Sequence, residues 1–179
     1  MSEKHREVGP NLEPVNEELQ EIAKASPEEH VEEAYYVPKP TTQREIRSLA
    51  FHLLYAVDRN DYAISLEEMV QLFREGFDLE IPDTSFAIML AGGAIEQRVE
   101  LDEAIKPLLK HWTFERLGCC TRLILRLALW ELKQPHAAPV VVINEAIELA
   151  KGFAEKDAYK FVNGILDEYC KIHQLTPSE

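Results

Sequence analysis

The chain is poor in the residues that small staple-held folds and most enzymes rely on. Only three cysteines occur in 179 residues, Cys119 and Cys120 side by side and Cys170 alone. They form no CxxC pair, no Cys/His ligand spacing and no even-numbered disulfide framework, so they read as reduced core residues of a cytosolic protein. The six histidines are scattered without a triad or ligand pattern, and GxSxG, HExxH, Walker A and GxGxxG are all missing. The expectation is therefore a protein without enzymatic activity, cofactor or metal. No apolar run approaches the roughly 18 residues of a membrane span, and the N-terminus lacks the apolar core of a signal peptide. A soluble, cytoplasmic protein with no membrane contact is expected. Positive charge is scarce too, with 19 Lys and Arg against 32 Asp and Glu, net −13. That balance argues against indiscriminate polyanion binding. It leaves room for a local basic patch, because salt screens charges separated by more than about 10 Å.

The acidic excess is unevenly placed. Residues 1–40 hold ten acidic and four basic side chains, net −6, and the remaining 139 residues hold 22 and 15, net −7. The first segment is rich in Glu and Pro with little apolar periodicity, and such composition buries too little surface to offset the entropy of ordering. Residues 1–40 are therefore expected to be a disordered acidic extension, with at most a nascent helix over Asn16–Ala25. Residues 41–179 are expected to form the folded domain, a length suited to a single core.

After Pro40 the pattern becomes helical. Thr41 or Thr42 can cap a first helix with the apolar stripe Ile46, Leu49, Ala50, Leu53, Leu54 and Val57. Ser65, with Glu68 three residues on, opens a second that stops at Gly76. A third runs from about Asp83 or Thr84 toward Arg98. Gly92-Gly93 inside it costs about 1 kcal/mol per Gly, so close helix packing is expected there. A short fourth spans Glu100 to Leu109, and a long fifth Phe114 to Leu132. Pro139 opens a sixth that Gly152 closes. No segment alternates at strand spacing, so the class is all-α, about seven helices joined by short loops.

The stretch KDAYKFVNGILDEY, Lys156 to Tyr169, carries two conflicting signals. Asn-Gly between apolar runs favours a hairpin turn, while Phe161, Ile165, Leu166 and Tyr169 recur at helical spacing. The periodicity extends over the whole stretch, so Asn163-Gly164 is assigned to helix interior. Gly164 then invites close approach of another backbone, and Asn163 needs a hydrogen-bond partner.

Two clusters bear on function. On the first helix, the side opposite the apolar stripe displays Arg44, Arg47, Phe51 and Tyr55. Guanidinium groups pair with phosphates and rings stack on bases, which suits single-stranded nucleic acid. Packing of the two rings against a second helical layer, with solvated arginines, fits the pattern as well. At the start of the last helix stand Lys156, Asp157, Lys160 and Phe161, cations at a helix mouth whose free N–H groups already favour an anion. Capping by Asp157 and core packing by Phe161 are the structural alternatives. Arg122 and Arg126 suit a solvated face or carboxylate partners, and Glu131 needs a partner if buried.

INEAIELAKGFAEKDAYKFVNGILD (Ile143 to Asp167) resembles the C-terminal signature of the NusB family of transcription antitermination factors, and RLILRLALWEL (Arg122 to Leu132) the helix before it. LDEAIKPLL also fits, and REIRSLAFHLLY (Arg44 to Tyr55) is similar to a thinned version of the family's N-terminal arginine-rich segment. The resemblance covers about residues 43–171. It implies two small antiparallel helical bundles and no catalysis. It also implies binding of boxA-type single-stranded RNA together with the ribosomal small-subunit protein NusE, on a transcribing RNA polymerase elongation complex. Carried over, the RNA contacts are Arg44, Arg47, Asp157, Lys160 and Phe161, and the protein-partner contacts are Glu115 and Thr121. Similar helical domains precede the catalytic domain of some RNA cytosine methyltransferases; with no room for a cofactor-binding sheet in the stretch up to Glu179, such activity is not expected here.

The sequence also departs from the family pattern. Gln43 and Glu45 flank the two retained arginines, which implies weaker RNA binding and a shallower salt dependence, roughly 0.7 in slope per lost phosphate contact. Thr121 stands where an acidic residue is usual. A competing reading is therefore a non-enzymatic helical interaction module with little RNA binding. The extension suggests a further possibility, with Glu28 to Glu33 covering Arg44 and Arg47 as an RNA mimic; deletion of residues 1–40 would then tighten RNA binding.

Overall fold

A computed structural model describes residues 40, 42–110, 112–135 and 137–175. The expectations for the acidic extension, including the Glu28–Glu33 mimic, lie outside the described residues. Seven α-helices, and no strand, occur among the described residues: α1 Gln43–Arg59, α2 Leu66–Phe77, α3 Phe86–Glu96, α4 Arg98–Ile105, α5 Cys119–Leu132, α6 Pro139–Phe153 and α7 Ala158–Ile172. The class is all-α.

Local chemistry fixes most of the boundaries. Thr42 caps α1 in a capping box: its Oγ1 accepts the Glu45 N–H at 3.2 Å, and the Glu45 carboxylate accepts the Thr42 N–H at 2.9 Å. Glu45, which interrupts the arginines, is thus the third-position acid of that box. Ser65 and Glu68 repeat the device at α2. That helix runs through Gly76 to Phe77, where Asp78 supplies the left-handed residue (φ 50°) in place of the expected Gly76. Ser85 caps α3 slightly later than the sequence suggests. The expected long fifth helix is broken. A short 3₁₀ turn, Phe114–Arg116, precedes an extended Leu117 and Gly118, and α5 begins only at Cys119.

Packing centres on α5. From Leu123 to Leu132 every residue is buried, as expected of a helix covered on all sides. α1 and α3 pack on it with α2 held by those two, and α4, α6 and α7 pack on it as well, so two small helical groups share one core. Gly93 of α3 makes the first junction possible: a Cβ there would lie 1.9 Å from Trp130 Cε2. The expected close packing of the Gly pair is real at Gly93. At Gly164 it is not, since that glycine is exposed with nothing within 4 Å of where a Cβ would stand. Asn163-Gly164 is nonetheless helix interior, and Asn163 Nδ2 donates to Asp167 at 3.2 Å.

Candidate nucleic-acid interface

The first turn of α1, which the capping box closes, lies beside α6. There Arg44, its side chain 60% exposed, reaches Glu145 at 3.3 Å and Glu148 at 3.6 Å. The hydrogen bond to Glu145 raises the pKa of the guanidinium and holds it charged. Glu148 also receives Lys151 Nζ at 2.7 Å, and Lys151 is the main reason its carboxyl sits below the usual range. Lys151 Nζ lies 5.6 Å from the centre of the Tyr159 ring, and so does Lys160 Nζ. Lys160 in turn pairs with Asp157 at 2.8 Å, which raises its pKa. A continuous row of contacts therefore runs from Arg44 through Glu148, Lys151 and Tyr159 to Lys160 and Asp157, joining the two clusters separated by more than a hundred residues.

Arg47 is not part of that row. The sequence puts it on an exposed face, but it is buried, with 9% of its side chain exposed. Its Nε donates to Glu131 Oε2 at 3.0 Å, its Nη2 to Oε1 of the same carboxylate, and its Nη1 to the Gln43 carbonyl at 3.1 Å. The Phe86 ring lies 5.5 Å away. The reason is geometric. Residues 47, 51 and 54 form one ridge of α1, and α3 and α5 cover the helix beyond the single stripe that periodicity reveals. Phe51 on the same ridge is 3% exposed and stacks on Phe153 of α6 at 4.9 Å, so the packing alternative holds for this ring. His52 meets Phe153 edge-on, and Tyr55 stays 38% exposed.

The α6–α7 loop presents the second cluster differently from a simple cap. Asp157 precedes α7 in the left-handed region (φ 65°) and makes no side-chain cap; its carboxylate turns to Lys160 instead. Phe161 is half-buried against the core and faces a groove of about 430 Å³, which Lys156, Trp112 and Arg116 also line. Across that groove Thr121 is buried, and its hydroxyl donates to Glu155 at 2.8 Å. Thr121 is thus a tie between α5 and the α6–α7 loop, not an exposed partner contact. Gly118 completes the tie, since a Cβ there would sit 1.6 Å from Glu155 Oε1. Glu115 is exposed on the 3₁₀ turn.

Arg122 and Arg126 serve neighbouring carboxylates. Arg126 grips Asp102 with two bonds of 2.7 and 2.8 Å and reaches Asp58 at 3.3 Å, while Arg122 approaches Asp58 at 3.6 Å. Tyr62 donates to Asp58 at 2.7 Å, and burial together with that bond pushes its pKa up to about 12. Lys151, Tyr159 and Phe153 are the site residues that sequence reasoning missed. Their signal was weak but present: Lys151 stands three residues after Glu148, and Tyr159 adjoins Lys160.

These features define a class: an all-helical domain built around one central helix, with cations and aromatic rings gathered in a row across three of its helices. A NusB family model matches residues 44–171, and the chain belongs to the NusB family. It is 37% identical over 130 residues to the transcription antitermination protein NusB of Macrococcus caseolyticus, an alignment spanning 73% of this chain and 97% of that protein. Among solved structures, T. maritima NusB superposes with a TM-score of 0.62 at 31% identity, covering 75% of this chain and 93% of that one. The antitermination factor NusB in a crystal structure with NusE and double-stranded RNA superposes with a TM-score of 0.60 at 29% identity, covering 73% and 96%. Among the described residues, no helix is long and apolar enough to cross a membrane.

Proposed function

We propose that this protein is a transcription antitermination factor that holds boxA-type single-stranded RNA together with the ribosomal protein NusE. It acts in the cytoplasm on a transcribing RNA polymerase elongation complex and performs no catalysis. The row from Arg44 to Lys160 carries this reading, because it brings charges from both ends of the domain within reach of one RNA backbone. Arg44, Lys151 and Lys160 pair with phosphates, exchanging the carboxylates Glu145, Glu148 and Asp157 for phosphate oxygens. Phe161 offers a ring to an unstacked base, and Asp157, once released, accepts from a base edge. Arg47 contributes by fixing α1 through Glu131, so that Arg44 projects. NusE docks beside this surface, over the 3₁₀ turn that exposes Glu115. Double-stranded RNA accompanies the related complex; the accessible rings here favour single strands, whose bases are free to stack.

Anisotropy of a labelled boxA-type RNA, titrated with and without NusE, tests the reading. Weak binding alone and tighter binding with NusE are expected, since two tethered weak contacts raise effective concentration. No binding under either condition contradicts it. The burial of Arg47 and the carboxylates on Arg44 favour a second reading, a helical interaction module with little affinity for RNA. Charge reversal separates the two: Arg44→Glu with Lys160→Glu abolishes RNA binding on the first and changes nothing on the second.

A further inference from the structure

The groove beside Phe161 has features that the cationic row does not use. On the far wall stands Trp112, 52% exposed on the connection between α4 and α5. A large ring left half in water is apolar surface available to a partner. Arg116 holds it in place, its guanidinium 5.3 Å from the ring centre. Phe161 and Lys156 line the same space, and its volume of about 430 Å³ falls in the roughly 300–1,000 Å³ range of small-ligand sites. The remaining polar side chains of the lining are the carboxylates Glu155 and Asp157 and the Thr121 hydroxyl, whose proton is already given to Glu155. Carboxylates accept hydrogen bonds and donate none. The groove thus combines a flat ring, cations at the rim and acceptors within.

We propose that this groove is a pocket for one unstacked nucleobase bearing an exocyclic amine, with Trp112 as its stacking platform. The inference rests on the RNA-binding reading and deepens it by assigning Trp112 and the groove it shares with Phe161 to base recognition, leaving the exposed Glu115 side of the 3₁₀ turn to NusE. The base lies against the indole, Lys156 and Arg116 meet the flanking phosphates, and Glu155 or Asp157 accepts from the amine, as acidic side chains accept from cytosine N4 in duplex readout. Uracil presents carbonyl oxygens to those carboxylates where cytosine presents its amine, so cytosine is preferred.

The test uses the full chain and single-stranded RNAs differing only in cytosine or uracil at successive positions. The chain has two tryptophans, and Trp130 is 7% exposed. Quenching of intrinsic fluorescence by RNA therefore reports on Trp112. The proposal expects quenching, a loss of affinity on the order of tenfold in Trp112→Ala, the effect of removing one stacking ring, and retention of most affinity in Trp112→Phe. It further expects a cytosine preference at one position that disappears in Trp112→Ala. If wild-type protein binds RNA without quenching and Trp112→Ala binds equally well, the pocket is overturned while the RNA-binding reading stands. If Trp112→Ala loses only the protein partner, the groove is a protein contact and the proposal again fails. Absence of RNA binding by the wild type, with partner present, removes both.

Discussion

At the scale of single residues, the buried Arg47–Glu131 pair determines what α1 can offer to a ligand. Both partners are 9% exposed, so removing one leaves an uncompensated charge in the core. Arg47→Met is expected to cost about 3–5 kcal/mol in denaturant unfolding, and Arg47→Met with Glu131→Leu to recover most of it. Recovery matters, because a direct RNA anchor at position 47 would lose binding in the double variant even with stability restored. Tyr62 gives a second residue-scale test. Its folded-state pKa of about 12 lies above the ordinary 10.0, so the fold favours the protonated phenol. That contribution is complete below pH 10 and is lost as pH climbs toward 12. Tyr62→Phe should remove this alkaline component, seen as a flatter dependence of the unfolding midpoint on pH. The sequence hinted at the partner of Glu131 only as a requirement. Which cation supplied it depended on the crossing of α1 and α5, and a periodicity that treats each helix as having one buried stripe does not contain that.

Elements were more legible than residues, for a physical reason. Caps, proline positions and apolar period act within a few residues, so Thr42, Ser65 and Pro139 mark helix starts without tertiary information. Loss of either capping hydroxyl, Thr42→Ala or Ser65→Ala, should cost about 1 kcal/mol. The two glycines make a sharper pair. Gly93→Ala drives a methyl into Trp130 and should destabilise by about 1–3 kcal/mol. Gly164→Ala meets nothing and should stabilise by about 1 kcal/mol through helix propensity. Thermal or denaturant melts of the two variants should therefore move in opposite directions. Sequence alone treats both as packing devices, because the presence of a neighbour is a long-range fact. The break before α5 escaped notice for a similar reason. Phe114 and Leu117 continue the apolar rhythm, and the Glu155 carboxylate seated on Gly118, just before the helix starts at Cys119, is a contact from a distant part of the chain.

Across the whole molecule, of net charge −13, the helical domain that carries the short cationic row is itself acidic, net −7 over residues 41–179. Its cations are held in register by Glu145, Glu148 and Asp157. Those carboxylates keep the charges pointed outward and compete with any phosphate that approaches. The Arg44 and Lys160 clusters were both visible along the chain as groups of charged and aromatic side chains. Their joining through Lys151 and Tyr159 was not, since it depends on α6 lying between α1 and α7. The most direct test of this joined row is the salt dependence of RNA affinity for the wild type, Arg44→Gln, Lys160→Gln and the double variant. Each single change should lower the slope of log affinity against log salt by roughly 0.7, and the double by about 1.4, as expected when both cations meet one single strand. Slopes that stay at the wild-type value in all three variants would contradict it.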